Sequence, residues 1–178
     1  MLHFCTLFDS NYLTRGLSLH ASLLETHENF HLYIFAFDDI ARNVLTELKL
    51  KHATVVALSE FEDADLLKIK PTRSQMEYCW TCTPSVIRYC LNEWNMDICT
   101  YLDADIYFFS NSQTIFDELD EYKNDVLITE HRFSDRYKEY EENGSSDLPK
   151  FLDLLQFEGN AMGFRILTKY NGEGLDLT

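Results

Sequence analysis

Short apolar runs of strand length alternate with amphipathic stretches of helix length along the first hundred residues, and this β-α-β-α order admits few arrangements other than a mostly parallel sheet covered by helices. Residues 3–8 read as the first strand. Asp9-Ser10-Asn11 follows with turn and N-cap chemistry, and residues 12–25 set Leu13, Leu17, Leu19, Ala21, Leu23 and Leu24 at broadly helical spacing. Residues 32–37 give a second strand, closed by Asp38-Asp39. Residues 40–50 form a second helix with Ile40, Val44, Leu45 and Leu48 on one face, and residues 54–58 a short third strand.

Residues 59–73 show no clean period and read as a loop carrying a short helix that Pro71 ends. A longer helix is predicted over 74–94, kinked or divided by Pro84. Residues 98–109 are the strongest strand signal in the chain. A brief helix at 114–119, a strand at 126–129, a charged loop or lid at 132–147 and a last strand at about 161–167 complete the pattern. Neither repeats nor low-complexity blocks interrupt it, so residues 1–178 are expected to form one α/β domain of Rossmann-like type.

Two aspartates, Asp103 and Asp105, lie inside the otherwise apolar 98–109 run. Buried and unpaired, each would cost several kcal/mol, on the scale of roughly 2–7 for a buried polar group, so something must compensate them. On a strand, side chains alternate faces, so both would point one way and Ala104 the other, letting the carboxylates converge on a single ion. Mn²⁺ or Mg²⁺ suits such oxygen donors. The competing reading has both aspartates capping a strand end and accepting from backbone amides.

Charge bears on the same question. Acidic residues outnumber basic ones by 30 to 15, giving a net charge of -15, which disfavours nucleic acid and makes any phosphate ligand dependent on a cation. Cys5, Cys79, Cys82, Cys90 and Cys99 are odd in number and mostly sit in apolar runs, where cysteine behaves as a small hydrophobe. A reducing, cytoplasmic setting is expected. Cys79-Trp80-Thr81-Cys82 spells a C-x-x-C but lacks a second pair or a flanking histidine. The first residues do not resemble a signal peptide and no stretch reaches the length of a membrane span, which leaves peripheral membrane association open.

The residues Phe4-Cys5-Thr6-Leu7-Phe8-Asp9-Ser10-Asn11-Tyr12, Tyr101-Leu102-Asp103-Ala104-Asp105-Ile106 and Gly159-Asn160-Ala161-Met162, with a helix before the D-x-D strand, resemble GT-A glycosyltransferases. The nearest resemblance is to the retaining group related to glycogenin and the lipopolysaccharide galactosyltransferases. It implies a metal-dependent transfer of sugar from a nucleotide diphosphate sugar, a UDP-sugar in particular, to a saccharide, lipid-linked or protein acceptor, as in polysaccharide biosynthesis. It also implies roles for individual positions. Asp103 and Asp105 would hold the metal, while Asp9, Asn11, Tyr12, the Leu7 and Phe8 backbone and Ala104 would contact the nucleotide. Asn160 and Ala161 would line the donor sugar, and Glu130 and His131 would approach sugar and acceptor.

Each carries a plainer alternative. Tyr12 could be a helix-start staple instead of a base-stacking ring, and His131 a satisfied strand-end residue. Arg73 and Arg88 are candidate phosphate-binding cations or surface ion pairs. The resemblance further implies a metal-binding histidine beyond the Asn160 region. None of His3, His20, His27, His31, His52 or His131 lies late enough, so a C-terminally truncated domain is expected. Two rival functions remain: a non-catalytic nucleotide-binding domain, and a phosphatase of the haloacid dehalogenase type, whose D-x-D normally comes near the start.

Overall fold

The first apolar run is buried along most of its length on both faces, which requires layers on either side of it. A computed structural model describes residues 1–122, 126–127 and 165–168, and the side chains of residues 1–117. Strand β1 (Leu2–Phe8) leads through a 3₁₀ turn (Ser10–Tyr12) into helix α1 (Leu13–Thr26). Then come β2 (Phe30–Ala36), α2 (Asp39–Leu48), β3 (Ala53–Ala57), the short helices α3 (Leu58–Phe61) and α4 (Ala64–Ile69), and the long α5 (Gln75–Glu93). β4 (Ile98–Tyr101), α6 (Gln113–Tyr122), β5 (Val126–Leu127) and β6 (Arg165–Thr168) complete the order.

The sheet runs β3-β2-β1-β4-β6-β5. The first four strands in that row are parallel, as the alternation predicted, whereas β6 lies antiparallel to both β4 and β5. Alternation along β1 feeds two cores. Phe4 and Phe8 join Leu19 and Leu23 of α1, Leu45 of α2 and Phe116 of α6. Cys5 and Leu7 face the opposite way, toward Tyr78, Cys82, Val86 and Cys90 on one stripe of α5.

Helix α5 starts at a capping box formed by the Ser74 side chain and Glu77, with the Ser74 N–H donating to Glu77 Oε2 at 2.8 Å. Of the two outcomes expected of Pro84, a kink or a division, the helix shows no division: it runs unbroken from Gln75 to Glu93. Trp80 and Pro84, four residues apart, are both exposed, so the lost backbone bond falls on the wet side of the helix, where water can serve the freed carbonyl.

The Asp38 carboxylate caps α2 by accepting from the Ala41 N–H at 2.7 Å, and its other oxygen accepts from the Ser10 N–H at 2.8 Å. The loops that follow β1 and β2 are thereby tied together. Burial alone would raise this carboxyl, but the N–H groups of Ala41, Ser10 and Ile40 and the Ser10 hydroxyl outweigh it and hold it below the usual carboxylate value. A depressed folded value contributes stability above the unfolded pKa, near 4, and loses it as pH falls through the folded one. Asp38→Ala is therefore expected to cost about 1–2 kcal/mol at pH 7. The gap to the unsubstituted chain in urea melts should narrow below about pH 4. A gap independent of pH would contradict this account.

Candidate functional site

In a sheet of this order the chain steps to one side of β1 for β2 and to the other for β4, and the carboxyl ends of the two strands at such a reversal frame a crevice. Here the crevice has a defined floor. β4 pairs with β1 only as far as Cys5↔Tyr101, followed by the Leu102 N–H donating to the Cys5 carbonyl at 2.8 Å, while β1 continues alongside β2 to Phe8↔Ala36. Leu7 and Phe8 overhang the end of β4. Backbone groups on a parallel strand address its two neighbours alternately: the Cys5 carbonyl serves Leu102 and the Phe8 carbonyl accepts from Phe37 at 2.9 Å. Leu7 thus turns its N–H and C=O toward the notch, and Phe8 turns its own toward β2.

Above the notch, Asp9 caps the 3₁₀ turn. Its Oδ1 accepts from the Asn11 N–H at 3.0 Å, and its Oδ2 accepts from Asn11 Nδ2 at 3.1 Å and from Gln75 Nε2 at 2.9 Å. This last bond fastens the loop to the start of α5. Tyr12 is 43% exposed, and the Arg15 guanidinium sits 4.5 Å from its ring centroid. The ring is held, yet accessible.

The D-x-D segment departs from the predicted strand. β4 ends at Tyr101, and Asp103 to Ile106 form a turn in which the Ile106 N–H donates to the Asp103 carbonyl at 3.1 Å. Strand alternation therefore does not apply to Asp103 and Asp105. The turn leaves Ala104 buried, Asp103 half-buried and Asp105 exposed at the carboxyl end of β4. Residues 106–109 fail to extend the strand because their bonds go elsewhere: the Phe108 N–H donates to Ser22 Oγ at 3.1 Å and the Tyr107 hydroxyl to Glu25 at 3.4 Å, both on α1. The following Asn111 donates to the Thr26 carbonyl at 3.1 Å, and the Ser112 hydroxyl lies 2.8 Å from His27 Nε2.

Sequence reading missed the residues that brace Asp103. Tyr101, two positions earlier, is buried, and that burial, joined by the Asp103 charge, pushes its phenol well up, while a hydrogen bond with the Thr83 hydroxyl of α5 works against the rise. The hydroxyl stays protonated at neutral pH and can donate to the Asp103 carboxylate.

Of the candidate cations, Arg88 is paired with Asp63 at 2.8 Å, the surface ion pair that was its plainer alternative. Arg73 is exposed just before α5, two residues from the Gln75 that holds Asp9. Cys79 and Cys82 sit within α5, where burial first of all pushes their thiols up to about 12 and about 11, the opposite of a reactive redox pair. A cavity of ≈ 210 Å³ lined by Leu91, Asn92, Asn95, Met96 and Asp97 lies where α5 ends and β4 begins, at the opposite end of β4 from Asp103 and Asp105. Glu130, His131, Asn160, Ala161 and the 132–147 segment lie outside the described residues. Among the described residues, no helix is long and apolar enough to cross a membrane.

No family model matches the chain. It is 33% identical over 139 residues to the uncharacterized protein YfnD of Bacillus subtilis (strain 168), an alignment covering 78% of this chain and 44% of YfnD. It is 32% identical over 115 residues to YfnF of the same organism, covering 64% of this chain and 38% of YfnF. The chain thus spans less than half the length of these curated relatives. Among solved structures it resembles the apo form of mouse xyloside xylosyltransferase 1, with a TM-score of 0.51 at 15% identity, covering 74% of this chain and 53% of that one. The likeness is one of fold, a Rossmann-like α/β arrangement with a parallel sheet flanked by helices.

Proposed function

We propose that the chain binds a nucleotide diphosphate sugar, a uridine diphosphate sugar in the first instance, and transfers its glycosyl group to an acceptor hydroxyl with retention at the anomeric carbon. One observation carries this reading: Asp103 and Asp105 stand in a turn at the carboxyl end of β4, beside the notch where Leu7 overhangs, in a chain of net charge -15. An anionic diphosphate is repelled by such a protein unless a cation lies between them. Carboxylates two residues apart in a partly exposed turn are hard oxygen donors, and they fit Mn²⁺ or Mg²⁺ shared with phosphate oxygens and water. When bound, such an ion neutralises the charge that grows on the departing diphosphate.

The protein's own contribution is positioning. The Tyr101 hydroxyl orients Asp103, and the Asp9, Asn11 and Gln75 bonds fix the loop in which Tyr12 offers a face for a nucleobase. Leu7 offers backbone groups, and Ala104 lines the turn. Asn160 and Ala161 serve the donor sugar in this reading, with Glu130 and His131 toward the acceptor, which is a saccharide, a lipid-linked sugar or a protein. Incubation with a panel of UDP-sugars and Mn²⁺ is expected to release UDP, and UDP with Mn²⁺ is expected to raise the melting temperature. Stabilisation without turnover would identify a binding domain instead, and neither effect would end the proposal.

A further inference from the structure

A second set of donor atoms, of different chemistry, is enclosed between α5 and the sheet. Cys5 on β1, Cys99 on β4 and Cys90 on α5 bring three sulfur atoms within 4.8 Å of one another, and all three residues are fully buried. The fold makes this meeting. The β1–β4 register sets Cys99 two residues before Tyr101, which is Cys5's partner, and so on the same face of β4, and Cys90 continues the α5 stripe of Cys82 and Val86 that covers both strands.

Cysteines of this kind can simply fill a core. Two features go beyond filling. Tetrahedral zinc–thiolate bonds of roughly 2.3 Å set their sulfurs about 3.8 Å apart, so sulfurs no more than 4.8 Å from one another need to draw together by at most about 1 Å. The second feature is His3, on the same face of β1 as Cys5, whose buried Nδ1 has no hydrogen-bond partner; it stands outside the 4.8 Å cluster, so its ring has to turn toward the sulfurs to serve as a donor.

We propose that Cys5, Cys90 and Cys99, with His3 Nδ1 as the fourth donor, form a structural site for a thiophilic divalent cation, zinc above all. Binding breaks three S–H bonds, forms three metal–sulfur bonds and sends three protons to solvent, while the imidazole adds a neutral lone pair. A closed, sulfur-rich set of this kind selects against Mg²⁺ and Mn²⁺, which prefer the oxygen donors of the exposed turn. Because the sulfurs are buried, the cation enters as the chain folds, and it clamps α5 to the two strands that frame the notch.

The test is to refold the whole chain with one equivalent of Cd²⁺ or Zn²⁺. Sulfur-to-cadmium charge transfer absorbs in the ultraviolet, which carboxylate-bound cadmium does not. One ion per chain is expected to survive gel filtration, with that absorption band and a melting temperature roughly 10 °C above the metal-free protein. Cys90→Ser and Cys99→Ser should lose band and ion, His3→Gln should weaken binding about tenfold to a hundredfold, and Asp105→Asn should keep both. A refolded unsubstituted chain that holds under about a tenth of an equivalent overturns the site, and so does a band that persists in both cysteine variants. If a serine variant fails to fold, the metal-loaded and metal-free forms of the unsubstituted chain still decide the matter.

Discussion

Asp105→Asn is expected to weaken the Mn²⁺-dependent binding of UDP about a hundredfold, close to 2.7 kcal/mol, while leaving the fold intact. The substitution keeps an oxygen donor of similar shape but removes one of two negative charges facing the cation, and that charge is what lets an anionic ligand approach. Asp105 is exposed in its turn, so its loss should move the melting temperature by only a degree or two. Asp103→Asn should weaken UDP binding at least as much, since it also disturbs the hydrogen bond that braces Tyr101. Titration calorimetry with and without Mn²⁺ measures both. Equal affinity in the Asp105 variant and the unsubstituted chain would remove the carboxylate pair from the site.

Gly16→Ala should destabilise the protein by about 1–3 kcal/mol, against the usual preference of helices for alanine. A Cβ at Gly16 in α1 would stand 2.3, 2.4 and 2.9 Å from three atoms of the Phe8 ring. That ring is 3% exposed in the core and cannot swing out without opening it. The helix gain, at most about 1 kcal/mol, is therefore outweighed by overpacking. A fall of roughly 3–10 °C in melting temperature is expected for a chain of this size. Gly16→Ala combined with Phe8→Leu should recover part of it, because the two changes share one contact. An alanine variant as stable as the parent would show that α1 and β1 can separate at no cost. Phe8 closes β1 beside the notch, so the same variant is expected to reduce UDP binding too.

Much of the scaffold was legible because its signals are local. The apolar runs at residues 3–8 and 32–37 and the helical spacing in 12–25 each point to the element found there. The overrun of β4 has a physical cause: Ile106 and Phe108 are as apolar as a strand requires, but they pack on α1, fixed by Ser22 and Glu25, contacts that no window of sequence contains. The reversed direction of β6 was invisible for a related reason, since hydrophobic pattern carries no strand polarity. Asp103, Asp105, Leu7 and Tyr12 could be singled out, whereas Tyr101, Thr83 and Gln75 could not, because their value lies in what they hold. The Cys5, Cys90 and Cys99 cluster draws on three elements and emerges only from strand register and helix placement.

The position of β6 has a bearing on how the polypeptide emerges from the ribosome. β3, β2, β1 and β4 are neighbours in space and complete once Tyr101 is made, so this parallel unit can assemble early in synthesis. β5 has β6 as its one neighbour in the sheet, yet β6 is translated 38 residues after the end of β5, at Arg165. Until then one border of β4 presents unpaired amides, open to a foreign strand or a second nascent copy. Biogenesis therefore has a vulnerable interval bounded by these two elements, and stalled chains ending between them should be the ones that recruit chaperones or aggregate.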